Sequence, residues 1–146
     1  VSPAEALRAA LLRPEEAEVM EAHGRTEAAV LVPIFGFPEK PGLVFTERRH
    51  DLSRHAGEIS FPGGRRDHPS ESLLDTALRE AEEEIGLAPA GVEVVGALPP
   101  IGTFVTSYKV HPFVGLIGDD LRFEPNPTEV ETVLAFTLHE LRESFA

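Results

Sequence analysis

The sequence predicts an α/β fold: one domain in which a mixed β-sheet lies between helices. Two kinds of segment predict it. Six short runs are rich in β-branched and aromatic residues, and between the third and fourth of them lies one strongly amphipathic helix. A third observation limits the count. The 146 residues contain no repeat and no long linker, so residues 1–146 read as a single domain with enough apolar content, 42%, to bury a core.

Along the chain, Ser2 to Leu12 reads as a short helix with Ser2 as N-cap, Pro3 at the first helical position and Glu5 in the first turn. Glu27 to Phe37 and Gly42 to Thr46, separated by a Pro/Gly-rich turn, read as neighbouring, well-buried strands. Gly57 to Phe61 reads as a short strand that stops at Pro62-Gly63-Gly64. From Ser72 to Ile85 the helical period is plain: Leu74, Ala77, Leu78, Ala81 and Ile85 form one apolar stripe, and Gly86 supplies a C-terminal stop. Gly91 to Leu98, Lys109 to Ile117 and Glu131 to Phe136 are three more strands. His139 to Phe145 opens a last helix that the end of the chain cuts short.

Charge narrows the function. A net charge of −12 repels a nucleic-acid backbone and argues against polynucleotide binding. No run of 18 apolar residues is present, so no membrane span is expected, and Glu5 and Arg8 interrupt the apolar start where a secretory signal would need continuity. A chain without Cys fits the cytoplasm. Within this acidic chain, Arg48, Arg49, Arg54, Arg65 and Arg66 fall together with His50, His55 and His68. Such a segment is either a solvated loop or a seat for a small anionic ligand.

Glu80, Glu83 and Glu84 occupy one arc of roughly 100° on the predicted helix, beside its apolar stripe. A Glu-rich face is commonly just solvated. Crowded, partly desolvated carboxylates otherwise require a cation, and an oxygen-only ligand set suits a hard divalent ion. Gly63-Gly64 shortly before the helix offers bare backbone that can approach a metal or phosphate. Arg79, eight residues after Glu71 and four after Asp75, is placed to tie the preceding loop to the helix.

Gly64, Glu71, Arg79, Glu80, Glu83, Glu84, Gly86 and Leu87 resemble the signature of the Nudix hydrolases, G-x5-E-x7-R-E-U-x-E-E-x-G-U, where U is aliphatic. Two positions depart from it: six residues separate Gly64 from Glu71, and Ala81 stands at the first U. The longer spacing resembles the coenzyme A pyrophosphatase branch. That branch carries an upstream motif, L-L-T-x-R-[SA]-x3-R-x3-G-x3-F-P-G-G. Val44-Phe45-Thr46-Glu47-Arg48, Gly57 and Phe61-Pro62-Gly63-Gly64 are similar to it, whereas Arg49 stands in place of Ser or Ala, and Ser53 in place of Arg with Arg54 one position later.

The resemblance implies a Nudix-type α/β/α sandwich that hydrolyses a diphosphate bond with Mg²⁺ or Mn²⁺. Glu80 and Glu84 are its expected metal ligands, Glu83 the third, and the carbonyl of Gly63 or Gly64 a further one. Glu71 and Arg79 are expected to hold the loop-to-helix geometry, and the general base to be Glu83 or, from a loop, Glu129. The implied substrate is coenzyme A or a derivative, split into 4′-phosphopantetheine and adenosine 3′,5′-bisphosphate, with Arg48, Arg54 or Arg65 pairing with its 3′-phosphate. Two alternatives stand beside this. One is hydrolysis of another nucleoside diphosphate derivative or a nucleoside triphosphate; the other is a Nudix-fold domain that binds a ligand without turnover. His55 and His111 receive no role, and Tyr108, the only Tyr, suits stacking on adenine or equally a place in the core or at the surface.

Overall fold

The computed structural model describes residues 1–52, 56–103 and 107–144. Eight strands and four helices follow in the order α1 (Pro3–Ala10), α2 (Pro14–Glu18), β1 (Thr26–Phe35), β2 (Gly42–Arg48), β3 (Ile59–Ser60), β4 (Gly63–Arg65), α3 (Leu73–Ile85), β5 (Val92–Ala97), β6 (Ile101–Gly102), β7 (Tyr108–Ile117), β8 (Val130–Thr137) and α4 (Leu138–Ser144). Ser2 caps α1 in a full capping box with Glu5, as the sequence predicts. The helix ends at Ala10, short of Leu12, because Leu12 pairs instead with Ala97 across the edge of β5.

The sheet is mixed. Parallel β1 and β7 run side by side from the pair Thr26–Tyr108 to the pair Ile34–Leu116. On its other side β7 carries antiparallel β5 and β6. The free edge of β1 is shared: β4 pairs with Ala28 to Val30, and β2 pairs only with Ile34 and Phe35. On its other side β2 runs antiparallel with β8 along its whole length, and beyond the two β1 pairs it takes up β3 at Thr46 and Glu47. The chain from 59 to 65 bridges the fork, pairing first with β2 and then with β1. Pro62 sits at the handover, where a missing N–H costs nothing, and its carbonyl accepts from the Leu31 N–H at 2.9 Å.

Two expectations need correction here. Gly63-Gly64 does not end a strand but lies within one, and the predicted strand 57–61 shrinks to Ile59–Ser60. Gly-Gly reads as a breaker in sequence, yet a Cβ on Gly63 would stand 2.3 Å from the carbonyl oxygen of Ala29, so only glycine lets β4 lie this close to β1. Helix α2 and strand β6 were not expected, being too short to show a period. The last helix begins one residue earlier than expected, at Leu138, and Phe145 lies outside the described residues.

Side chains alternate across β1, sending Ala29 and Leu31 to one face and Val32 to the other. On the first face Ala77 and Ala81 of α3, Leu73, Phe113 and Ala17 of α2 form the main core. The small alanines let α3 sit close to the sheet. On the second face Val32, Val95 and Val114 are covered by Leu7 and Leu11 from the α1 segment. The sheet thus lies between helices.

Candidate active site

Ser72 starts α3 by accepting from the Asp75 N–H at 3.1 Å, and Glu18 of α2 accepts from the N–H groups of Leu73 and Leu74. Gly86 ends it with φ +73°, the left-handed cap expected of it. Its buried face comprises Leu73, Thr76, Ala77, Ala81 and Ile85. That arc is rotated from the predicted stripe toward Thr76, so Glu80 and Glu84 fall inside it and Glu83 just outside. Accordingly the Glu80 side chain is 16% exposed and that of Glu83 56%.

Strand β4 lies over these acids. The Gly63 N–H donates to Glu84 Oε2 at 3.3 Å. A Cβ on Gly64 would stand within 2.6 Å of the Glu80 carboxyl carbon. Both glycines were expected at the site, and both touch it through backbone. Burial pushes the Glu84 carboxyl up to about 8, helped by the charge of Glu80 and then of Glu129, while Arg48 opposes the rise. Burial also raises Glu80; Arg79 opposes that rise, and Glu83 and Glu129 add to it. Glu129 and Arg48 therefore belong to the same electrostatic cluster as the helix acids.

A loop explains why Glu129 belongs there. The N–H groups of Glu124 and Asn126 donate to the carbonyls of Ile85 and Glu84, each at 2.8 Å. These bonds satisfy orphan carbonyls at the end of α3 and dock the chain just before β8 against the acids. Sequence reasoning had no signal for this docking beyond Gly86, whose Cβ would press on Glu124.

Arg79 is the hub. Its Nε and Nη2 donate to the two oxygens of Glu71 at 2.8 and 3.1 Å, and Nη1 to Glu80 and Glu83 at 3.0 and 3.2 Å. Nη2 also reaches the carbonyl of Arg65, and Nη1 pairs with Asp67 at 3.3 Å. Arg79 thus ties the helix to the preceding loop through Asp67 as well as through Glu71. Glu71 further accepts from Thr76 Oγ1 at 2.7 Å. Arg79 first, with help from Thr76, holds the Glu71 carboxyl down at about 2.

The remaining expectations divide. Arg65 is exposed on β4 and joins the site through its carbonyl. Arg54 and His55 lie outside the described residues. His111 is fully buried on β7, 3.9 Å from Glu27, and burial holds its imidazole below the usual range. Tyr108 opens β7, half-buried, its N–H donating to Thr103 Oγ1 at 2.9 Å. A cavity of about 560 Å³ lies elsewhere, its charges balanced between Glu21, Glu27 and Asp67 and Arg25, Arg66 and Lys109. It includes none of the helix acids.

Chemically, the arrangement is an oxygen-only cluster of carboxylates packed under a glycine strand. The Nudix domain family matches residues 25–146. A protein of Pectobacterium atrosepticum named uncharacterized Nudix hydrolase NudL is 46% identical over 118 residues, covering 81% of this chain and 60% of that protein. Its namesake from Klebsiella pneumoniae is 44% identical over 130 residues, covering 89% and 66%. The chain therefore spans less than two thirds of the length of these relatives. Among solved structures, the Nudix hydrolase RenU of M. smegmatis superposes with a TM-score of 0.67 at 19% identity, covering 85% of this chain and 76% of that one. The Ap4A hydrolase of C. elegans does so with 0.65 at 15%, covering 82% and 85%. The chain belongs to the Nudix family.

The donor set fits the divalent ion that this family implies. Glu80 and Glu84 are two part-buried carboxylates whose charged forms are under-compensated by Arg48 and Arg79, the condition a hard cation relieves. Among the described residues no three acidic or histidine side chains converge at ligand spacing. Glu83 is instead drawn to Arg79. Added Mg²⁺ or Mn²⁺ is expected to raise the melting temperature by about 5–10 °C at a hundred times the dissociation constant. Glu80→Gln, with one repulsive charge removed, should be more stable without metal and respond less to it. A melting curve indifferent to millimolar divalent ions would show that these acids hold no such ion. Among the described residues, no helix is long and apolar enough to cross a membrane.

Proposed function

We propose that the chain is a metal-dependent diphosphatase acting on coenzyme A or its derivatives, yielding 4′-phosphopantetheine and adenosine 3′,5′-bisphosphate. The observation that carries the hydrolase reading is the backbone of Gly63 and Gly64 lying directly against Glu84 and Glu80. Glu80 and Glu84 would hold the ion, Glu83 would join them on leaving Arg79, and the Gly63 carbonyl would be a further ligand. When bound, Mg²⁺ or Mn²⁺ neutralises the diphosphate and lowers the pKa of the attacking water. Glu71 and Arg79 keep the loop and helix in register. Of the two candidate bases, Glu83 already accepts from Arg79, whereas Glu129 is exposed with no hydrogen bond to its carboxylate among the described residues. Glu129 is therefore the better placed to receive the water's proton.

The coenzyme A reading rests on the six-residue spacing, the upstream motif and an Arg48 whose charge is felt at Glu84. A panel of diphosphates assayed with each metal, products identified by mass, tests both levels. Coenzyme A differs from dephospho-coenzyme A by one phosphate, and a charge-assisted contact of about 1.5–3 kcal/mol gives roughly a ten- to hundredfold preference in kcat/KM. One of Arg48→Ala, Arg54→Ala and Arg65→Ala should erase that preference while sparing the dephospho substrate. Equal rates, or preference for nucleoside triphosphates or another nucleoside diphosphate derivative, would remove the coenzyme A assignment and leave the hydrolase. No turnover of any diphosphate would leave a ligand-binding domain.

A further inference from the structure

Arg49 is one of the residues by which this chain departs from the upstream motif, and the structure gives it a partner that Ser or Ala could not reach. Its Nη1 donates to the carbonyl of Pro127 at 2.5 Å. Its Nε and Nη2 form a fork on Asp51 at 2.8 and 2.5 Å, which fixes the plane of the guanidinium. Its own N–H donates to the carbonyl of Glu129 at 3.1 Å.

The far side of the same loop is fastened elsewhere. Asn126 bonds through its N–H to Glu84 at the end of α3, its carbonyl accepts from the N–H groups of Glu129 and Val130, and its Oδ1 accepts from the N–H and hydroxyl of Thr128. Residues 126–129 are thus a turn pinned on one side to the acid-bearing helix and on the other to the end of β2. At that end the β2–β8 register steps, Glu47 facing Thr132 and Arg48 facing Val130, so Glu131 is extra on β8. A bulge weakens the ladder where the loop begins. The Arg49 side chain adds, beyond that ladder, a bond to the middle of the turn.

We propose that Arg49 is a positioning residue that clamps the 126–129 turn to β2 and so holds Glu129 against the Glu80–Glu84 cluster. This rests on the proposed hydrolase only for its kinetic consequence; the clamp itself is a property of the free protein. Its charge is not the agent. The agent is a planar fork able to grip Asp51 and Pro127 together, which Lys reproduces only in part.

The test is amide hydrogen exchange on the whole chain for wild type, Arg49→Ala, Arg49→Ser and Arg49→Lys, with kinetics on the same proteins. In Arg49→Ala and Arg49→Ser the amides of Asn126, Thr128 and Glu129 should exchange at least about tenfold faster, with those of α3 and β1 unchanged and Arg49→Lys intermediate. With the best diphosphate substrate, kcat should fall about tenfold with KM held, and little further in a Glu129→Gln background, because residues acting as one unit are not additive. Unchanged exchange in the turn would overturn the clamp, as would acceleration spread evenly over the sheet. Full additivity with Glu129→Gln would overturn its link to Glu129. An inactive wild type would sink the proposed function instead, while the exchange result still decides the clamp.

Discussion

Glu84→Gln should abolish nearly all turnover while leaving the protein folded. Glu84 is the most strongly destabilised anion of the cluster, and it receives the Gly63 N–H from β4. An amide is nearly the same size, so packing survives. It carries no charge, so the ion that activates water is held weakly. Loss of a mere outer-shell partner of a metal ligand typically costs about 10–100-fold, so loss of a direct ligand should cost at least about a hundredfold. The free protein should meanwhile become more stable at neutral pH, since a buried carboxyl that resists ionisation has been replaced by a neutral group. Steady-state kinetics at saturating metal and a melting curve without metal check the two halves. A folded variant with near-normal turnover would remove Glu84 from the metal site.

Arg79→Ala should be the most damaging change outside the ligands. Arg79 and Glu71 are largely covered, their side chains 24% and 18% exposed, and the pair closes the loop from Asp67 to Glu71 onto α3. The carboxyl of Glu71 stands at about 2 against an ordinary 4.5. That difference corresponds to roughly 3 kcal/mol, which residual solvent screening trims to about 2 kcal/mol. Because the folded value is depressed, the stabilisation is complete above about pH 4.5 and is lost as pH falls toward 2. Glu71→Gln should therefore melt about 4–8 °C below wild type at pH 6 and converge with it near pH 2. Arg79→Ala should show at least that loss and, by freeing Glu80 and Glu83, also slow turnover about 10–100-fold. A gap between wild type and Glu71→Gln that persists unchanged at pH 2 would contradict the ion-pair account.

What sequence pattern reveals here follows chain locality. The acids of α3 are legible because 3.6-residue spacing puts Glu80, Glu83 and Glu84 on one side whatever the tertiary setting. How far each is buried is not, since the arc is decided by Thr76 packing inward, and a Thr does not register as apolar. Gly63 and Gly64 announce close approach but look like a stop; only their partner strand β1 makes them a strand. Arg79 with Glu71 is legible at two helical turns. The Asp67 contact is not, because it depends on how the preceding loop folds back. Glu129 was reachable only as a loop acid, since its place beside Glu84 depends on backbone bonds spanning some forty residues of chain.

The shared edge of β1 has a mechanical consequence. Strands β2, β3 and β8 are joined to the β1–β7 half through the pairs at Ile34 and Phe35 and the single segment from 59 to 65. The seam between the two halves therefore carries fewer backbone pairs than the β1–β7 or β2–β8 ladder. Arg48 belongs to one half; Glu80 and Glu84, packed on β1 and β4, ride on the other; and the turn carrying Glu129 is fastened to both. Parting the seam would shift Arg48 relative to the acids, and it would also strip Leu43 of β2 from Val32, Val95 and Val114, so hydrophobic packing rather than hydrogen bonding is what holds the two halves together there.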